Sequence, residues 1–231
     1  MGEPDGTRAP TRPEIRVTED GPYEVRGVPL VRTAQVETEY GEPVDWAPDD
    51  PIPTGKRAVL CRCGRSSTKP FCDDAHLDGF DGAEVADRTS YDERKQVFEA
   101  TGFVLDDVIE LCTDAGYCGD RFEHVWDMLP DTVDPEVADR VRAMVRRCPS
   151  GRIVTRDVEG DTAGAADESS FEPSVAVIAD GPLWVRGGVA VVAADGTTYE
   201  VRNRQTLCRC GASGSKPFCD GSHKRVGFTD A

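Results

Sequence analysis

The chain has 231 residues with 43 acidic and 27 basic side chains and a formal net charge of −16; its pI is near 4.6 and its mean hydropathy −0.46. That balance argues against a nucleic-acid binder, which needs clustered Lys and Arg, and no apolar run reaches the roughly eighteen residues that span a bilayer. Apolar content of 38% is lean for one large core, so small modules held by cross-links are favoured over a single big domain.

Residues 1–15 carry Pro, Gly and charge without periodicity and read as a flexible tail. The opening Met-Gly-Glu-Pro-Asp lacks the pattern of a signal peptide, so a cytoplasmic protein is expected. Asp20-Gly-Pro is a turn signal, and strands are expected just after it, over Pro29–Val36 and over Arg57–Leu60. Between the last two lies the Pro- and acid-rich stretch Gly41–Pro53. It contains Trp46, an aromatic placed to cap the neighbouring cysteine loop or to pack elsewhere. Next comes Cys61-Arg-Cys-Gly, opening a C-x-C-x8-C-x3-H spacing that closes at His76.

From residue 88 the pattern turns helical. Ser90 and Tyr91-Asp-Glu-Arg begin a short turn or helix. Asp134-Pro135-Glu136 reads as the start of a longer helix, with Val137, Val141, Met144 and Val145 as its apolar stripe. Cys148-Pro149-Ser-Gly ends it. Residues 156–171 read as a linker. Asp180-Gly-Pro then repeats the first turn, strands are expected over Val189–Ala193 and Tyr199–Leu207, and the metal-type spacing returns from Cys208 to His223. The offset between copies is 160 at the turn and 147 at the first cysteine, so the first copy holds 13 extra residues, which Gly41–Pro53 supplies.

Both copies share C-R-C-G, Lys-Pro-Phe-Cys-Asp and a later Gly-Phe, at Gly79 and Gly227. Two of the three histidines in the chain fall inside them. Thiolate and neutral imidazole are ligands of zinc, copper and iron–sulfur sites. Cys72 and His76, like Cys219 and His223, are four apart and face one metal if the segment is helical. Nine cysteines is an odd number, and without a secretory signal a disulfide framework is disfavoured.

Residues 208–223 resemble the signature of the CDGSH iron–sulfur family, the mitoNEET-like proteins, at every position, with Ser213 at the Ser/Thr place. Residues 61–76 match with Ser66, Pro70, Cys72, Asp73, Ala75 and His76, but Asp74 stands where the family has Gly. The resemblance implies a [2Fe–2S] cluster on Cys61, Cys63, Cys72 and His76 and another on Cys208, Cys210, Cys219 and His223. In each, the C-x-C pair holds the inner iron, and the third cysteine with the histidine holds the outer one. Zinc is the competing metal, since three cysteines and a histidine also form a structural zinc set. Asp73 and Asp220 are expected to cap the following turn, and Lys69 and Lys216 to lie near the clusters or in solvent. The family pairs two units about a twofold axis, so residues 16–80 and 172–231 are expected to form an intramolecular pseudo-dimer.

The three remaining cysteines, Cys112, Cys118 and Cys148 before Pro149, resemble the ligands of a single-cluster ferredoxin. Ala115 occupies the place of a further cysteine, as in many [3Fe–4S] ferredoxins, and Asp114 offers a carboxylate to a fourth iron. A third cluster, [3Fe–4S] or [4Fe–4S], is therefore expected; the alternative is three buried thiols in a helical module. His124 reads as a packing or surface residue.

The expected fold class is α+β: a tail at 1–15, β-rich CDGSH modules at 16–87 and 172–231 forming a β-cap over cluster-binding loops, a mainly helical ferredoxin-like module at 88–155, and a linker at 156–171. No nucleophile–base motif, nucleotide loop or HExxH is present, so no enzyme is expected. The first functional expectation is one-electron transfer to a redox partner protein by a monomer with an internal pseudo-twofold. The others are cluster storage, sensing or transfer to an apo-protein, and a zinc-stabilised interaction module.

Overall fold

The computed structural model describes residues 12–159 and 162–230. Most of the expected tail, residues 1–11, lies outside the described residues, but its end does not: Glu14 and Ile15 are already in a strand. The first repeat contains β1 (Glu14–Val17), β2 (Tyr23–Arg26), β3 (Leu30–Thr33), β4 (Gln35–Glu37), β5 (Pro43–Trp46), β6 (Asp50–Ile52) and β7 (Arg57–Leu60). The middle region contains α1 (Tyr91–Arg94), β8 (Gln96–Glu99), β9 (Phe103–Asp107), α2 (Val125–Met128), α3 (Pro135–Arg147), β10 (Ile153–Glu159) and β11 (Thr162–Asp167). The second repeat contains β12 (Ser174–Ile178), β13 (Leu183–Arg186), β14 (Ala190–Val192), β15 (Arg204–Leu207) and α4 (Ser222–Arg225). Among the described residues no helix is long and apolar enough to cross a membrane.

The two repeats exchange a strand. One sheet has the order β14-β1-β2-β7 and the other β15-β13-β12-β3-β6. Thus β3 of the first repeat runs parallel to β12 of the second, and β14 of the second runs parallel to β1 of the first. Period-two alternation aims the inner faces at one shared core: Ile15, Val17, Tyr23, Val25 and Leu60 meet Val175, Val177, Leu183, Val185 and Leu207. Neither repeat could close this core alone, since each sheet carries strands from both. β12 is buried along its whole length, because Trp46 and Phe171 cover its outer face beside Trp184.

At the end of the sandwich the two C-R-C-G loops touch backbone to backbone. A Cβ at Gly64 would lie 2.5 Å from the Cys210 carbonyl oxygen, and one at Gly211 would lie 2.5 Å from that of Cys63. Both glycines also have φ near +79°, a region that L side chains rarely adopt. The twofold contact therefore admits no side chain at either position.

The middle region departs from expectation. It is not mainly helical: β11-β10-β9-β8 form a four-stranded sheet on which α3 packs through Ala138, Val141 and Val145 against Phe103, Leu105 and Ile153. No strand is expected ahead of the first cysteine of this region, yet β9 ends shortly before Cys112. The expected linker at 156–171 instead supplies most of β10 and β11. Helix α3 itself begins and ends as expected, with the Asp134 carboxylate accepting from the Glu136 amide and Pro135 in the first turn. Charge conceals the sheet. Arg152 makes a two-pronged pair with Asp107, as Arg156 does with Asp106, and both carboxylates are buried. Charged residues in strand positions erase the apolar alternation by which strands are recognised.

Substituting Gly64 or Gly211 by Ala is expected to lower stability by about 2–4 kcal/mol, through a backbone clash added to an unfavourable φ. Gly79→Ala has a similar φ of +71° but open space around it, and its cost should stay near 1 kcal/mol. Equal losses at the three positions in urea denaturation would show that the loops are not in contact.

Candidate metal centres

Each CDGSH-type loop is held by its own turn. Leu60 pairs with Phe71 and Leu207 with Phe218 across isolated bridges, and the Cys61 and Cys208 amides donate to the carbonyls of Pro70 and Pro217. This brings the third cysteine back beside the first pair. Cys61 and Cys63 Sγ are 3.7 Å apart, as are Cys208 and Cys210 Sγ. Cys72 Sγ lies 3.4 Å from His76 Nδ1, and Cys219 Sγ lies 3.4 Å from His223 Nδ1. All nine cysteines are free thiols. Each copy thus carries a thiol pair and a thiol–imidazole pair on one loop, a donor set that fits an iron–sulfur cluster or zinc; at the first site Cys72 and His76 come together with Asp74. The hydrogen bond within the Cys208–Cys210 pair, aided by the amides of Ser213 and Gly211, lowers the Cys208 thiol despite burial and raises that of Cys210, so the pair favours one thiolate, while burial raises the Cys219 thiol. Burial and then Lys224 lower the His223 pKa, favouring the neutral ring that a metal needs.

The residues around the ligands brace the loops. Ser66 and Ser213 hydroxyls donate to the Phe71 and Phe218 carbonyls. Asp73 accepts from the Ser67 and Ala75 amides, and Asp220 from those of Gly214 and Ser222, so each carboxylate ties the loop to the turn that carries the histidine. Lys216 Nζ donates to Ser213 O at 3.0 Å, and Lys69 reaches across to the ring of Phe228 in the second repeat.

Sequence reasoning missed the arginine between the paired cysteines. Arg62 and Arg209 are 1% and 2% exposed. Arg62 donates to the carbonyls of Thr18 and Gly82, and Arg209 to those of Gly181 and Ile178. Their guanidiniums face the rings of Phe80 and Phe228. The signal was present, because C-R-C-G, Asp-Gly-Pro and Gly-Phe recur together. One side chain binds all three, and so fixes each cluster loop to the sandwich. In the second repeat Asp230 completes this lock by pairing with Arg209 and Arg32 and by exchanging amide hydrogen bonds with Asp180. Burial opposes ionisation of Asp230, but the Asp180 amide and the two guanidiniums hold it at about 2.

The middle site also assembles. Cys112 follows a 3-10 turn, Cys148 is the C-cap of α3, and Cys118 lies in the loop between them. All three line one cavity of about 300 Å³. Burial, followed by the neighbouring charge of Cys148, raises the Cys118 thiol, and the Arg152 guanidinium lies beside Cys112. Asp114 lines the same cavity, but its side chain is 69% exposed and pairs with Lys224 at 3.7 Å. His124 rests on Gly119 at the rim.

The inserted stretch of the first repeat, together with Gln35 ahead of it, holds this loop in place. Gln35 Nε2 donates to Ala115 O at 2.6 Å, and the Tyr117 hydroxyl to Asp45 O at 2.7 Å. The Trp46 ring lies tilted between those of Tyr117 and Trp184, while its Nε1 donates to Arg147 O. Trp46 is thus a packing residue against neighbours, and the first cluster loop is not what it covers. From the other side Arg204, just ahead of Cys208, donates to the carbonyls of Val145, Arg146 and Cys148 and so caps the C-terminus of α3.

Residues 20–77 and 180–224 match the family of iron-binding zinc fingers of CDGSH type, and residues 103–157 match the divergent 4Fe-4S mono-cluster family. The chain therefore carries two CDGSH segments flanking a divergent 4Fe-4S mono-cluster domain. No curated protein and no solved structure matches the chain.

Asp230→Asn is expected to cost about 1–2 kcal/mol at pH 7, discounted for its position near solvent. Because the folded pKa is depressed, the contribution is complete above the ordinary carboxylate pKa. It is lost as pH falls through about 4 towards 2. The gap between wild type and variant should therefore be equal in urea titrations at pH 7 and pH 5. A gap that already closes over that range would show that Asp230 is not held ionised by this lock.

Proposed function

We propose that this iron–sulfur chain, two CDGSH units around a mono-cluster domain, is a one-electron carrier. Its donors are Cys61, Cys63, Cys72 and His76 at one [2Fe–2S] centre and Cys208, Cys210, Cys219 and His223 at the other. Cys112, Cys118 and Cys148 hold a third cluster, [3Fe–4S] if the three thiolates act alone and [4Fe–4S] if Asp114 turns inward. The observation that carries this reading is that the three sites adjoin. The CDGSH loops touch at Gly64 and Gly211, and a Cβ on Gly221 would lie 3.0 Å from Asp114 Cβ and 3.3 Å from the Thr113 carbonyl carbon.

When bound, such clusters supply reversible one-electron exchange at iron. The protein's part is to hold the second site next to each of the other two, to exclude water from the buried thiols Cys61, Cys63, Cys208 and Cys219, and to set the potential through one imidazole per CDGSH site. All-thiolate plant-type clusters sit near roughly −400 mV, and two histidines raise the range to about −150 to +300 mV, so one histidine places these centres between them. The partner in this reading is a redox protein, met by a monomer whose twofold is internal. A second reading, delivery of cluster to an apo-protein, is favoured by the partial exposure of Cys72 and His76.

Iron, sulfide and zinc counts with visible and EPR spectra of anaerobically purified protein test the reading. Two clusters give about four irons per chain and three give about seven or eight, with an EPR signal in the oxidised state expected for [3Fe–4S]. A colourless, zinc-loaded sample after iron-replete expression would leave only a structural module. His76→Cys and His223→Cys should each lower the potential of one centre in an EPR-monitored redox titration. Unchanged potentials in both variants would remove the histidines from the ligand set. Rapid reversible cycling with intact clusters supports electron transfer; transfer of iron and sulfide to an apo-ferredoxin without a reductase supports delivery.

A further inference from the structure

The two CDGSH sites are close to identical in sequence and in donor geometry, yet they stand in different surroundings. At the second site Cys219 is 3% and His223 7% exposed. The corner Thr113–Asp114 of the mono-cluster domain lies on Gly221, and Asp114 pairs with Lys224, the residue after the ligand histidine. At the first site Cys72 and His76 are only partly buried, Asp73 and Asp74 are less enclosed than their counterparts Asp220 and Gly221, and Leu77 is 79% exposed. The position equivalent to Gly221 is Asp74.

That single difference follows from the packing. Both residues have left-handed backbone, φ +81° for Gly221 and +68° for Asp74, a conformation that Asp tolerates better than most residues. Conformation alone therefore does not demand glycine. What favours it at the second site is the overlying corner, which a Cβ would meet at 3.0 Å from Asp114 Cβ and 3.3 Å from the Thr113 carbonyl carbon, so that the corner would have to give way. Asp74 has solvent above it, and its carboxylate lies 4.0 Å from Cys72 Sγ, within 4.8 Å of both the Cys72 and His76 ligand atoms.

We propose that the two CDGSH centres have different tasks: the first, open at Cys72, Asp74 and His76, is the port at which a partner protein reaches the chain, and the second, roofed by Thr113–Asp114, is an internal junction between the port and the mono-cluster site. This rests on the reading that both sites hold clusters. The occupant of the port is the redox protein of the electron-carrier reading, which must approach the outer iron, and loss of cluster to an apo-protein there is the alternative outcome.

The test is chelator-driven cluster loss from the full-length holoprotein at constant pH, followed by the EPR signal of each reduced centre. His76→Cys and His223→Cys assign the signals. Loss in two phases is expected, with the first centre faster by about tenfold or more, a difference that a modest change in barrier height suffices to give. His76→Cys should slow the fast phase and His223→Cys should leave it unchanged. Gly221→Asp, which pushes on the roof, should speed the slow phase. Should that variant fold poorly, relaxation of the two EPR signals by a soluble lanthanide complex in the wild-type protein reads the same exposure, and the first centre should respond more strongly. Equal rates and equal relaxation with both clusters present would overturn the division of tasks alone. Absence of sulfide at the outset would overturn the cluster reading and this inference with it.

Discussion

The contact between the two C-R-C-G loops is the constraint on which the rest of the molecule depends. A backbone approach that leaves no room for a Cβ on either side needs both loops held rigidly, and neither repeat has the core to do that alone. The exchange of β3 and β14 between sheets solves the problem. Each sheet then carries strands from both repeats, and the single core is shared. Arg62 and Arg209 transmit this rigidity to the ligands. They run from between the paired cysteines back to the Asp-Gly-Pro turns, which sit at strand ends of the sandwich. The Tyr23 hydroxyl reaches the Cys208 carbonyl at 2.7 Å, so a first-repeat strand also steadies the second loop directly. A buried arginine bonded to carbonyls is costly to desolvate and loses much if a partner goes. It is therefore a strong specifier of one loop geometry.

The CDGSH halves were legible because their constraints are local. Ligand spacing, the Asp-Gly-Pro turns and the glycines at positive φ are written at fixed offsets, and repetition doubled every signal. The pseudo-dimer was legible only through the family resemblance, since the strand exchange leaves no mark in composition or periodicity. Strand β3 pairs with β6 of its own repeat on one side and with β12 of the other repeat on the other, and nothing in Leu30-Val31-Arg32-Thr33 says which strand lies there. Long-range pairing of this kind is decided by the whole core, not by the strand.

The middle domain was legible at its cysteines and at α3, and illegible in its sheet. The cap Asp134, the proline at the first helical position and the apolar stripe act within a few turns of chain, so they survive any tertiary context. Its strands do not, because Asp106 and Asp107 in β9 are buried only when Arg156 and Arg152 in β10 arrive from about fifty residues away. Read alone, Phe103–Asp107 ends in two acids and Ile153–Glu159 alternates charge with short apolar steps. Each looks like loop or linker until the other is present. The role of Trp46 was hidden for the same reason, since Tyr117 and Trp184 become its neighbours only in three dimensions.

Fusion of the repeats is what allows the two metal sites to diverge. A homodimer is symmetric, so whatever covers one site covers its mate, and a residue forbidden at one is forbidden at both. In a single chain an inserted domain can lie on one loop only. The insertion of the first repeat clamps that domain through Asp45 and Trp46, with Gln35 beside them, and Arg204 of the second repeat anchors its helix. Both contacts direct the Thr113–Asp114 corner onto Gly221 and leave Asp74 in solvent. The glycine that the family pattern requires is thus kept where a neighbour presses on it and lost where none does. The departure from pattern at Asp74 is a consequence of architecture and leaves every donor of the first site in place.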